Sequence, residues 1–89
     1  MVSREHCLEE AKKIICQDRN NQYGTPEDNF SKIAKLWSAY LDVDVDSKDV
    51  GIMMALFKVA RIKTGSFKED SYIDLVGYGA CACECASKE

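Results

Sequence analysis

Between residues 46 and 65 the chain reads DSKDVGIMMALFKVARIKTG, and no other segment restricts its fold as tightly. Val50, Ile52, Met53, Met54, Leu56, Phe57, Val59, Ala60 and Ile62 leave almost no polar face until Lys58 and Arg61. A helix that is apolar all round is a buried helix. The segment therefore predicts a central helix, with Asp46 or Ser47 as its N-cap. Gly65 is expected as a left-handed C-cap, following a Lys63 whose charge suits the negative end of the helix dipole.

The flanking segments supply what would cover it. Over residues 3 to 18, Cys7, Leu8, Ala11, Ile14 and Ile15 fall on one stripe of a first helix, with Ser3 as its N-cap. The next residues, RNNQYG, are rich in types that tolerate left-handed backbone and are expected to form a polar loop. Thr25, Pro26 and Asp28 then place a capping hydroxyl, a proline at the first helical position and an acid in the first turn. The second helix continues through Phe30, Ile33, Ala34, Trp37, Tyr40 and Leu41, with Ser31, Lys32 and Lys35 turned outward. A fourth helix begins between Ser66 and Asp70 and runs through Tyr72, Ile73, Leu75, Val76 and Tyr78 into GACACECA. Each interior glycine there costs roughly 1 kcal/mol relative to alanine, so another helix is expected to approach closely. The expected fold is all-α: a compact four-helix domain over residues 1–89, with a central apolar third helix. Its small-residue-rich fourth helix is expected at an oligomer interface.

Size and charge narrow the function classes. A chain of 89 residues buries too little apolar surface for a deep private cavity plus a full core, which favours a homo-oligomer. Apolar residues are 46% and charged residues 30% of the chain, a balance suited to folding rather than disorder. A net charge of -3 supplies no basic field for long nucleic acid, so DNA is not an expected partner. No stretch reaches the roughly 20 apolar residues that cross a bilayer, and MVSREHCLEE is too charged for a secretory signal. A cytoplasmic protein with reduced thiols is expected, because the five cysteines are an odd number without an export signal.

Several constellations invite chemistry. Asp42, Asp44 and Asp46 alternate as in a calcium loop, but Ser47 and Met53 stand where an EF-hand needs glycine and glutamate, so a solvated capping connector is expected. Of Cys81, Cys83 and Cys85 only the first and last share a helical face, which suits buried thiols better than zinc. His6 is given no role. Asp70 and Asp74 lie four apart on one helical face, close enough to share a divalent cation, with Glu69 beside them. Glu69 and Asp70 also suit the first turn of any helix, whereas Asp74 sits among apolar neighbours and needs a metal or a cation such as Lys58, Arg61 or Arg19. Those basic residues, with Lys68, are equally suited to clamping phosphate oxygens, while Tyr23, Trp37 or Tyr78 stacks a base.

The segments DRNNQYGTPEDNF, KIAKLWSAYL, DVGIMMALFKVARI and KEDSYIDLVGYGA resemble, over nearly the whole chain, the phage and prophage proteins grouped as domain-of-unknown-function family 6378. That resemblance implies a phage-encoded helical protein acting inside an infected bacterium. It brings a more distant similarity to MazG-like all-α nucleoside triphosphate pyrophosphatases, whose ExxE and ExxD acids hold magnesium. This chain contains no ExxE, and Asp70 and Asp74 are the nearest substitutes in the fourth helix. Two readings follow. In one, inter-subunit pockets lined by Arg19, Tyr23, Asn29, Trp37, Lys58, Arg61, Lys68 and Tyr78 sequester a phosphate-bearing nucleotide, such as a cyclic nucleotide or ADP-ribose immune signal of the host, without a cofactor. In the other, Glu69, Asp70 and Asp74, with Glu27 or Asp28, hydrolyse a nucleoside triphosphate around magnesium. A structural, partner-binding helical module is the third. The incomplete acidic set favours the first.

Overall fold

Ser3 starts the first helix as expected, its hydroxyl accepting the His6 backbone N–H at 3.0 Å. The computed structural model of the chain describes residues 1–88, and the side chains of all of these except Arg19 and Asn20. Helix α1 spans Arg4–Lys13 and leads into a π-helical stretch, Ile14–Asp18, which leads directly into α2, Arg19–Tyr23. The expected loop over residues 19 to 23 is therefore helix. Asparagine lies only a few tenths of a kcal/mol below the good helix formers, so Asn20 and Asn21 do not break a helix already under way. The run ends at Gly24, whose φ of +82° is the left-handed backbone that glycine adopts without strain.

Thr25 accepts the Asp28 N–H at 3.4 Å and opens α3, Pro26–Leu41. Asp42, at φ 57°, turns the chain, and the Ser38 hydroxyl clasps the connector by accepting the Val45 N–H at 2.8 Å and donating to the Val45 carbonyl at 3.1 Å. Asp46 and Asp49 then form a reciprocal capping box at the start of α4, Ser47–Thr64. The acidic connector is thus a capping device. Gly65 departs from the left-handed cap expected of it: its backbone is extended at φ -112° and ψ 176°, and its N–H still bonds the Arg61 carbonyl at 3.1 Å. With that donor satisfied, the left-handed turn has nothing to add. Helix α5, Glu69–Ser87, follows with two acids in its first turn.

Helices α4 and α5 run antiparallel, which shows in their contacts: Gly51 lies against Ala82, and Lys58 reaches Asp74. A Cβ on Gly51 would stand 2.7 Å from that of Ala82, and one on Gly77 would stand 2.9 Å from Ile15 Cγ2. Gly77 and Ala82 of α5 are therefore used inside the chain, while Gly79 and Ala80 are exposed. The core gathers Phe30, Ala34, Val50, Cys81 and Cys85, with Trp37 and Met54 packed at its edge.

The third predicted helix, now α4, is not buried all round. Val50 and Gly51 are buried, while Ile52, Met53, Leu56, Phe57 and Val59 are exposed. A sequence pattern reports how much apolar surface a helix carries, and this chain has only enough other helices to cover one side of α4. No helix among the described residues is long and apolar enough to cross a membrane.

Candidate functional site

A cavity of about 250 Å³ opens between the first helical run, α3, α4 and α5. Its position follows from local sequence. Gly24 and Pro26 bend the chain so that Tyr23 at the end of α2 and Asn29 and Phe30 on α3 face one space, and Gly77 admits Ile15 from the other side. Ile14 and Ile15 enter the wall from the π-helical stretch, a geometry that recurs at functional sites because its widened turn re-aims side chains. Helix α5 contributes Asp74, Tyr78 and Cys81. The wall is chiefly aliphatic and aromatic with few polar groups, the usual make-up of a small-molecule pocket.

Its charged feature is Asp74, whose Oδ2 lies 2.8 Å from Lys58 Nζ. The two side chains are only 25% and 16% exposed, so the pair holds its charges in partial shelter, where each requires the other. The partner of Asp74 is thus a lysine. Cys81 lies deeper, and burial first, then the neighbouring Cys85, pushes its thiol up to about 11. At neutral pH it is a protonated apolar filler.

The structure gathers Tyr23, Asn29, Asp74 and Tyr78 from the sequence candidates on one cavity, with Lys58 at hand through Asp74. Trp37, Arg61 and Lys68 lie elsewhere. Trp37 packs against the core, and Arg61 stands over the Phe57 ring at 4.6 Å. Lys68 is exposed at the N-cap of α5, and the side chain of Arg19 lies outside the described residues. The acidic set does not converge either. Glu69 contacts His6, Asp70 is exposed, and Glu27 bonds Lys88. Lys88 lies fourteen residues beyond Asp74, roughly 21 Å along a helix, so Glu27 and Asp74 serve opposite ends of α5. Among the described residues no three His, Cys, Asp or Glu side chains are grouped to hold a metal. Of the two candidates for a shared divalent cation, Asp74 is paired with Lys58 and Asp70 is exposed.

Sequence reasoning missed the aliphatic part of the wall, Ile14, Ile15 and Met54, because apolar residues at helical spacing are indistinguishable from core. It also gave no role to His6, which ties the start of α1 to the start of α5 through Glu69. No local pattern joins residues so distant in sequence.

The fold and cavity define a small all-helical protein whose pocket is walled by aliphatic and aromatic side chains and carries Asp74, paired with Lys58. The chain belongs to the family described as domain of unknown function DUF6378, which matches residues 6–86. It is similar to the Gene 55 protein of Mycobacterium phage D29, at 43% identity over 77 residues, covering 86% of this chain and 51% of that protein. The Gene 55 protein of Mycobacterium phage L5 is 38% identical over 72 residues, covering 80% of this chain and 46% of that protein. The chain spans about half the length of these curated relatives. No solved structure matches it. These matches carry the phage-type family and not the expected similarity to MazG-like pyrophosphatases.

Proposed function

We propose that this phage-type protein is a nucleotide-binding module that seats the base and sugar of a small nucleotide in its own cavity and holds the ligand intact. One observation supports this above the others: Tyr23, Phe30 and Tyr78 line the same space as Asn29 and Asp74, whose carboxylate is paired with Lys58. Aromatic rings stack on any nucleobase, an amide matches the donor and acceptor edge of a base, and a carboxylate accepts from an exocyclic amine or a ribose hydroxyl. The cavity, at about 250 Å³, lies just below the roughly 300–1,000 Å³ common for small-molecule pockets. That volume suits a nucleoside portion better than a dinucleotide.

The phosphate is a secondary determinant in this reading. Of the basic candidates whose side chains the structure describes, Lys58 alone sits beside the cavity, and the phosphate is held near its mouth. The state of the acids supports retention: Asp74 is engaged by Lys58 and Glu27 by Lys88, and among the described residues no carboxylate cluster is grouped to place magnesium. In an infected cell such a module acts as a sponge for a nucleotide signal.

The test is equilibrium dialysis against nucleosides, cyclic nucleotides, ADP-ribose and nucleoside triphosphates, with and without magnesium, followed by mass analysis of the heat-released ligand. An intact ligand is expected, and Tyr23→Ala should weaken its binding by roughly fivefold to a hundredfold, since one stacked base is worth about 1–3 kcal/mol. Asn29→Leu should weaken it as well, while Arg61→Ala leaves it unchanged. Magnesium-dependent release of monophosphate and pyrophosphate would establish the enzyme instead, and failure to retain any of these compounds would end the nucleotide reading.

A further inference from the structure

The uncovered face of α4 has a regular build. Asp49, Ile52, Leu56, Val59 and Lys63 follow one another at spacings of three, four, three and four, the a/d spacing of a coiled-coil seam, with Met53 and Ala60 beside them. This stripe lies opposite the side of α4 that carries Val50 and Met54 into the core. It is wet despite its composition: Leu56 is 62% exposed, Ile52 47% and Val59 45%.

The stripe is also symmetric in a way that selects its occupant. Leu56 stands at the middle, and Asp49 and Lys63 each lie seven residues from it, one acidic and one basic. When such a helix meets a copy of itself antiparallel, with Leu56 on the two-fold axis, Asp49 of each chain falls opposite Lys63 of the other. Met53 then meets Val59, and Ile52 meets Ala60. A self-complementary patch of this kind is what an isologous contact requires. A parallel pairing instead sets Asp49 against Asp49 and Lys63 against Lys63, which like-charge repulsion disfavours. We propose that two copies of this chain associate through α4, antiparallel about Leu56, in an interface separate from the nucleotide cavity. The association places α4 between α5 and the second α4, and so supplies the cover that its all-round apolar composition demands.

Sedimentation velocity over a range of protein concentrations, with helix content checked by circular dichroism, tests the surface. The unmodified chain should be dimeric at micromolar concentration, Leu56→Glu should raise the dissociation constant at least tenfold, and Lys63→Glu should weaken the dimer by a smaller factor. Register is read separately by introducing Leu56→Cys together with Cys16→Ser and Cys83→Ser, which remove the exposed thiols. Mild oxidation should then give a covalent dimer, because the two new thiols meet on the axis, and this readout stands even if Leu56→Glu impairs folding. A chain that remains monomeric overturns the proposal, as does a dimer indifferent to Leu56→Glu or a Leu56→Cys chain that does not cross-link.

Discussion

The pair formed by Lys58 and Asp74 shows how one contact decides between chemistries. A carboxylate on the wall of an apolar cavity needs a counter-charge, and a lysine supplies one without an open coordination position. Removing the ammonium strands the carboxylate in a place where water reaches it poorly. Lys58→Met is therefore expected to destabilise the fold by about 1.5–3 kcal/mol, the range for hydrogen bonds to charged groups. Lys58→Met/Asp74→Leu should recover most of that, because removing both partners leaves no unpaired charge. Urea unfolding of the three proteins at pH 7 measures it, and a double variant no more stable than the single one would show that the pair does more than neutralise itself. The sequence made the need for a partner legible at Asp74 but not its identity. Lys58, Arg61 and a metal satisfy the same local pattern, and only the antiparallel pairing of α4 and α5 brings Nζ to Oδ2.

At the scale of elements, helix starts were the most legible feature. Ser3, Thr25 and Asp46 each act through a side-chain oxygen within three residues, so the sequence holds the whole interaction. Helix ends and faces were less so. Residues 19 to 23 remain helical because no local signal before Gly24 is strong enough to stop them, and the exposed side of α4 depends on how many neighbours the chain has. The glycines of α4 and α5 show the same division. Gly51 and Gly79 carry one propensity penalty, yet a Cβ at Gly51 meets Ala82 at 2.7 Å and one at Gly79 meets nothing within 4 Å. Gly79→Ala should thus stabilise the protein by about 0.5–1 kcal/mol through helix propensity alone. Gly51→Ala should destabilise it despite the same gain, because overpacking costs about 1–3 kcal/mol and here the obstacle includes the Ala82 backbone. Thermal melts of the two variants should shift in opposite directions, and a shared direction would mean that α4 and α5 are not packed as closely as described.

For the whole molecule, pH reports how its ends and its interior are held. Glu27, at the start of α3, is held down to about 2 from its ordinary 4.5, first by Lys88 beyond the end of α5 and then by Glu84. The folded state binds that proton more weakly than the unfolded chain does, so the contribution of Glu27 is complete above about pH 4.5 and is lost as pH falls toward 2. Glu84 is shifted upward by its hydrogen bond to Glu27 and acts in the opposite sense, its contribution fading as pH rises through its folded value. The two shifts oppose each other, which makes the acid limb shallow. Lys88→Ala removes the largest cause of the Glu27 shift and should lower the melting temperature at pH 7, with the difference closing as pH approaches 2. The alkaline limb has two sources: Lys88, raised from its ordinary 10.5 first by its hydrogen bond to Glu27, stabilises until pH rises through its folded value, and Cys81 titrates in the interior. Burial lifts Cys81 from 9.0 to about 11, so the folded state keeps a proton that the unfolded chain releases, and this contribution is lost between about pH 9 and 11. Cys81→Ala should lower stability below pH 9 by leaving a small void, yet flatten the decline above it. Melting temperatures of the unmodified chain and both variants from pH 2 to 11 separate the two limbs. Because Lys88 itself titrates in the alkaline range, Lys88→Ala should also flatten the decline at the alkaline end, whereas Cys81→Ala should leave the acid limb in place. If Cys81→Ala moves the acid limb, the clamp between α3 and the end of α5 is not independent of the cavity wall, and ligand seated beside Cys81 would then be felt at the far end of the molecule.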